Sequence, residues 1–238
     1  MNIIITGASR GIGYHTALHL AMQENHKILA VSRNHENLQK LVKAAADAHA
    51  PAELIPFAFN IDRLLDQDQN ELISKIYSIF DQIDVLINNA GAILNQPFYK
   101  ITPKEAFKVY QTNLFAPAEL IRLVLPLMGK KHTGHIVNIG SMGGVQGSVK
   151  FPGLNYYSSS KAAIAGLTEC LAEEYKEQNI AFNCLALGAV QTEMLTEAFP
   201  GLTVSTQPEE MASFIADFAL TGYRYFNGKI LPVANTVP

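Results

Sequence analysis

A chain of 238 residues, 48% hydrophobic and 16% charged, can bury a substantial core and is not a disordered polymer. A formal net charge of −3 with no dense Lys/Arg cluster excludes a nucleic-acid partner, whose phosphates need several cations in a row. Cys170 and Cys184 fit neither a zinc site nor a redox pair, and no apolar run reaches membrane-spanning length, so neither a metal nor a membrane partner is expected, in a reducing cytoplasmic setting.

In chain order, Asn2–Thr6 is a short apolar run that predicts a strand, with no charged segment before it of the kind that opens a signal peptide. It leads through Thr6-Gly7-Ala8-Ser9-Arg10-Gly11-Ile12-Gly13 into a helical pattern over Ile12–Gln23. Gly7, Gly11 and Gly13 permit a tight turn, close approach of the backbone to a pyrophosphate, and close packing of the helix on the strand. The first N–H groups of such a helix face an anion. Any sharp strand-to-helix turn can want glycine, but this one follows the first strand and heads a βαβ pattern, which points to dinucleotide binding. Strand Lys27–Ser32 and helix Glu36–His49 come next, then strand Glu53–Phe59, helix Asp68–Phe80 and strand Ile83–Asn88. A long helical pattern spans Pro103–Met128. Strand Gly134–Ile139, helix Tyr157–Gln178, strand Ile180–Ala186, helix Pro208–Leu220 and strand Lys229–Val233 complete the chain. This alternation builds right-handed crossovers, so the expected fold class is α/β. It is a three-layer, doubly wound Rossmann-type parallel sheet of about seven strands with helices on both faces. No repeat or linker-like run divides the chain, and one domain over 1–238 is expected.

Two places carry chemistry of their own. Tyr157 and Lys161 are four apart and share a helix face. A free tyrosine has a pKa of about 10, and a nearby ammonium favours the tyrosinate, as a general acid/base near neutrality requires. An isolated Tyr-x3-Lys would as readily be a packed ring beside a lysine that reaches to water. Tyr156 lies off that face and is set aside as the base. The second strand ends Ala30-Val31-Ser32-Arg33, with a neutral hydroxyl where NAD-binding domains tend to place a carboxylate against the ribose 2′-hydroxyl. Arg33 beside it and Arg10 in the glycine turn suit a 2′-phosphate, because a guanidinium donates two parallel hydrogen bonds. The cofactor expected is NADP(H). The histidines show no metal spacing with acidic partners, and no metal is expected.

Thr6–Gly13 resembles the glycine turn of the short-chain dehydrogenase/reductase family, in the branch with this spacing. Other blocks agree in order: Asn88-Asn89-Ala90-Gly91 at the end of the fourth strand, Asn113 in the long helix, and Ser141 after the fifth strand. Tyr157-Ser158-Ser159-Ser160-Lys161 follows, and Asn183 to Thr192 is similar to the family's NxxxPGxxxT. The resemblance covers nearly the whole chain. It implies that Tyr157 exchanges a proton with the reacting oxygen, that Lys161 holds the nicotinamide ribose and tunes the tyrosine, and that Ser141 hydrogen-bonds that oxygen. Asn113 would hold a water in the proton path and relieve a mid-helix kink. Around the cofactor it implies Gly7, Ser9, Arg10, Gly11, Ile12 and Gly13 in the turn, then Ser32 and Arg33. Asn60 with Ile61, Asn88 with Ala90 and Gly91, and Val190 with Thr192 would complete the cofactor site, beside Tyr157 and Lys161.

The departures are local. Leu187-Gly188 stands in place of Pro-Gly, which predicts a looser turn after the sixth strand. Asn60 replaces a common Asp, the Ser141-to-Tyr157 interval is longer, and the segment from Thr192 to Pro208 is shorter than a typical lid. The function implied is hydride transfer between NADP(H) and a carbonyl or alcohol, as a carbonyl or 3-oxoacyl-type reductase. A non-catalytic dinucleotide-binding regulator is the alternative, and the intact Ser141, Tyr157 and Lys161 argue against it. The small-molecule substrate would meet an apolar wall carrying Phe151, Leu154, Met194, Leu195, Phe199 and Leu202. The resemblance also implies a homodimer or homotetramer, built through the two long helices and the last strand near Tyr225–Val233.

Overall fold

The computed structural model describes residues 1–65 and 70–234. Among these, seven parallel strands form one sheet: β1 (Asn2–Thr6), β2 (Lys27–Ser32), β3 (Glu53–Ala58), β4 (Val85–Asn88), β5 (Gly134–Ser141), β6 (Ile180–Leu187) and β7 (Lys229–Val233). The helices are α1 (Gly11–Gln23), α2 (His35–Asp47), α3 (Asn70–Ile79), α4 (Pro103–Tyr110), α5 (Ala116–Val124), α6 (Asn155–Glu174), α7 (Glu193–Ala198) and α8 (Pro208–Thr221). The predicted start of the third helix, Asp68, lies outside the described residues.

Side chains alternate along a strand, so β1 sends Ile3 and Ile5 to one face of the sheet and Ile4 to the other. On the first face they pack with Leu20 of α1, Leu38 of α2 and Ile215 of α8. On the second, Ile4 and Leu86 pack with Ile76 of α3 and Leu120 of α5. Each such fully buried aliphatic side chain contributes about 1.5–3 kcal/mol over leaving it exposed. The strand order is β3-β2-β1-β4-β5-β6-β7. The chain therefore builds outward on one side of β1, then returns to the other side at β4. Connections leave β1 and β4 in opposite directions, and a crevice opens at their carboxyl ends.

The long helix predicted over Pro103–Met128 is not continuous. α4 begins at a capping box between Thr102 and Glu105, and a π turn occupies Gln111–Phe115, where the Ala116 N–H donates to the Gln111 carbonyl. α5 follows and ends in a 3-10 turn over Leu125–Leu127. A set of polar anchors braces the wide turn. Asp62 is buried and forms an ion pair with Lys108; its Oδ1 accepts from Thr112 Oγ1 at 2.8 Å and its backbone oxygen from Gln111 Nε2 at 3.3 Å.

α6 starts two residues before Tyr157, and a left-handed Asn179 (φ 57°) follows its terminal 3-10 turn. The turn after β6 is not loosened by Leu187. A leucine keeps the N–H that proline lacks, β6 continues through it beside Ser141 and Val233, and the Gly188 N–H donates to the Val233 carbonyl at 2.9 Å. No helix among the described residues is long and apolar enough to cross a membrane.

Candidate active site

The crevice is bounded by the glycine turn after β1 and by residues 89–92 after β4. Gly7 (φ 72°) and Gly11 (φ 53°) hold conformations that a side chain would strain. A Cβ on Gly13 would lie 2.3 Å from both the Gly7 carbonyl oxygen and Asn89 Nδ2. Asn89 is the reason for that crowding: its Nδ2 donates to the carbonyls of Thr6 at 3.0 Å and Gly7 at 3.3 Å. The backbone N–H groups of Asn89 and Ala90 donate in turn to Thr6 Oγ1 at 3.2 and 3.1 Å. Asn88 behaves differently. Its side chain lies in the core, donating to Asn138 Oδ1 at 2.9 Å, and it does not line the cleft. The sequence reading selected Asn88 and passed over Asn89, yet Asn89 is the one that fastens β4 to the glycine turn.

The cleft has a volume of about 1190 Å³, above the roughly 300–1,000 Å³ of ordinary ligand pockets, so it has room for a dinucleotide and a second molecule. Gly7, Ser9, Arg10, Gly11, Ile12 and Gly13 line one end. Ser32 and Arg33 join them, and Ser32 Oγ donates to Ser9 Oγ at 2.7 Å. Asn60 and Ile61 lie farther along, with Asn60 Oδ1 accepting from the Asp62 N–H at 3.3 Å. Ala90, Gly91, Val190 and Thr192 also line the cleft. Thr192 caps α7 as well, accepting from the Leu195 N–H at 3.2 Å. A turn with glycine at Gly7, Gly11 and Gly13 leading into the N-terminus of α1, and a neutral, hydroxyl-lined end to β2, fit a nicotinamide dinucleotide. Asp62 and Lys108 line the same cleft and were not anticipated, since their pairing crosses 46 residues of sequence.

Ser141 at the end of β5 and Tyr157 and Lys161 on α6 meet at the other end. Tyr157 is open to the cleft but crowded by protein; burial pushes its phenol above the ordinary tyrosine value, and a hydrogen bond with Ser141 partly offsets this. Ser141 Oγ also accepts from the Gly143 N–H at 3.2 Å. Burial pulls the Lys161 ammonium down to about 8. The expectation that Lys161 lowers the tyrosine value is not met here. Lys161 Nζ donates to the Ile139 carbonyl at 2.7 Å and sits over the Tyr157 ring, 6.0 Å from its centroid, and desolvation of the phenol sets the direction of the shift. Tyr156 points elsewhere, stacking on Phe98 at 5.8 Å.

Asn113 sits in the π turn and is buried, not on an exposed helix face. Its Oδ1 accepts from the Ala92 N–H at 2.7 Å, while Nδ2 donates to the Ala92 carbonyl and to Ser160 Oγ, each at 2.9 Å. It ties the wall after β4 to α6, one residue before Lys161. At the cleft mouth, Phe151, Leu154, Met194, Leu195, Phe199 and Leu202 present the expected apolar surface. α7 spans this mouth. Asn95 Nδ2 donates to the Ala198 carbonyl at 2.8 Å, and Arg10 pairs with Glu197 at 2.5 Å.

A dinucleotide-shaped crevice ending in a serine, a tyrosine and a lysine defines a class of nicotinamide-dependent oxidoreductases. Residues 1–202 match the short chain dehydrogenase family. The 3-oxoacyl-[acyl-carrier-protein] reductase FabG of Thermotoga maritima is 33% identical over 242 residues, spanning 97% of this chain and 94% of that protein. The structure of a 3-ketoacyl-(acyl-carrier-protein) reductase from Brucella melitensis, complexed with NADH, shares the fold with a TM-score of 0.85 at 23% identity, over 98% of this chain and 96% of that one. A Beutenbergia cavernae protein, described as a candidate NAD(P)-dependent gluconate 5-dehydrogenase and holding NADP at low occupancy, matches with a TM-score of 0.85 at 26% identity, over 98% and 94%. The chain belongs to the short-chain dehydrogenase/reductase family and is an oxidoreductase.

Proposed function

We propose that this protein is an NADP(H)-dependent carbonyl reductase of the 3-oxoacyl type, acting within one domain. The observation that carries the reading is the convergence of Ser141, Tyr157 and Lys161 on the cleft that the glycine turn opens. A bound nicotinamide supplies the hydride to the carbonyl carbon, and the chain's own groups manage the oxygen. Ser141 donates a hydrogen bond to that oxygen, and Tyr157 delivers the phenolic proton as charge develops on it. A phenol pushed up by burial is fully protonated at neutral pH, which suits reduction. Lys161 holds the ribose hydroxyls and supports the tyrosinate left after transfer. Asn113 keeps the facing wall in register and holds water in the proton path.

The absence of a carboxylate at the end of β2 supports NADP(H), since nothing there repels a 2′-phosphate. The apolar mouth and the similarity to FabG support an acyl-bearing ketone. Phe98, Phe107 and Phe115 are 62%, 60% and 41% exposed around the α4–α5 segment, and such rings support a homodimer or homotetramer. The test is loss of NADPH absorbance with a 3-oxoacyl thioester, against NADH and against simple ketones. Turnover favouring NADPH and the thioester supports the proposal. Tight cofactor binding with no turnover of any carbonyl would replace it with a dinucleotide-binding regulator.

A further inference from the structure

Arg10 is the cation that the glycine turn presents to the cleft, and in this structure it is engaged. Its Nη1 and Nη2 donate to the two carboxylate oxygens of Glu197 at 2.5 and 3.3 Å, a forked pair between the turn and α7. Glu193, one turn earlier on α7, adds its negative field at the same guanidinium. The next residue after Glu197, Ala198, is held from the opposite wall by Asn95. Two consecutive residues of α7 are thus fastened to the two lips of the cleft, one through an ion pair and one through a neutral hydrogen bond.

We propose that Glu197 is a specificity-determining residue, which competes with the cofactor's 2′-phosphate for Arg10 and so sets how strongly the protein prefers NADP(H). The inference rests on the NADP(H) reading above and deepens it. A guanidinium fork fits one planar or tetrahedral anion at a time, so Arg10 cannot serve Glu197 and a phosphate with both donors. NADP(H) binding therefore frees the Glu197 pin of α7 and leaves Asn95–Ala198 as the hinge, whereas NAD(H) leaves both in place. Cofactor choice and the position of the substrate-side helix become one equilibrium. The Arg10 and Glu197 side chains are 43% and 62% exposed, so the competition is worth a few-fold in affinity and weakens with salt.

The test is binding of NADPH and NADH, measured by titration calorimetry at low ionic strength, for wild type, Glu197→Gln, Arg10→Ala and the double variant. Glu197→Gln is expected to tighten NADPH about three- to fivefold and leave NADH within error, since the carboxylate no longer competes. In the Arg10→Ala background, Glu197→Gln should change neither cofactor. The proposal is overturned if Glu197→Gln shifts both cofactors alike, or neither, while Arg10→Ala still weakens NADPH selectively. If Arg10→Ala leaves NADPH binding untouched, Arg10 is not a phosphate ligand, and its part in the cofactor reading fails together with this inference.

Discussion

His135 makes the stability of this fold depend on pH in a way that can be worked out from its neighbours. The ring is fully buried in β5, between Phe218 and Tyr223. Nδ1 donates to the Ala219 carbonyl at 2.8 Å, and Nε2 accepts from Asn183 Nδ2 at 3.0 Å. The asparagine cannot turn its oxygen to the ring instead, because Nδ2 also donates to the Phe226 carbonyl and Oδ1 accepts from the Lys229 N–H. A proton on Nε2 would face an N–H donor in a dry interior. Burial accordingly drives the imidazole from 6.5 down to about 4. The folded value lies below the unfolded one, so the unfolded state takes up the proton first. The stability is complete above the unfolded value of 6.5 and is lost as pH falls through about 4. At about 1.4 kcal/mol per unit, the loss by pH ~4 reaches about 3 kcal/mol. Urea unfolding of wild type and His135→Asn from pH ~7 to ~4 measures it. The variant starts less stable but should lack this slope. Parallel pH profiles for the two proteins would refute the argument.

The other expectations concern the cleft. Tyr157→Phe should lower turnover by at least about 10²–10⁴-fold with cofactor affinity nearly unchanged, while Tyr156→Phe stays near wild type in steady-state assays; a reversal would move the acid to the other ring. Lys161 titrates at about 8, and its ammonium form exists below that value. Cofactor binding followed by fluorescence should weaken as pH rises through it, and Lys161→Met should bind weakly at every pH, with no such step. Ser32→Asp combined with Arg33→Ala should move preference toward NAD(H) by roughly one to two decades in kcat/KM, an effect that shrinks with salt. Gly13→Ala places a methyl 2.3 Å from the Gly7 oxygen and Asn89 Nδ2, so it should cost about 1–3 kcal/mol of stability and sharply weaken dinucleotide binding in calorimetry.

Much of this was legible before any coordinates, because hydrophobic period and glycine spacing are local signals. All seven strands lie where short apolar runs predicted them, and β1, β2 and β7 match at both ends. The misses have a common physical origin in contacts across long stretches of sequence. A π turn inserts one residue into an otherwise helical pattern, and Asp62, 46 residues before Lys108, anchors the residues that enter it. Choosing between Asn88 and Asn89 required knowing which side of β4 faces the glycine turn. α7 is six residues long, too short for a periodic signal. The raised value of Tyr157 comes from its burial, partly offset by Ser141, and a four-residue spacing to Lys161 cannot reveal either.

The wide turn at Gln111–Phe115 also sets a constraint on how this chain can change. Leading into it, Lys108 and, at its start, Thr112 are phased to reach Asp62; downstream, Leu120, Ile121 and Val124 are phased to face the sheet. An α-helix turns about 100° per residue, so deleting one residue here would keep one phase only by spoiling the other. The active-site wall and the hydrophobic core are therefore written in two reading frames of a single helix. Insertions and deletions in this stretch should be tolerated only in combinations that restore the offset, whereas substitutions on its solvent side remain free.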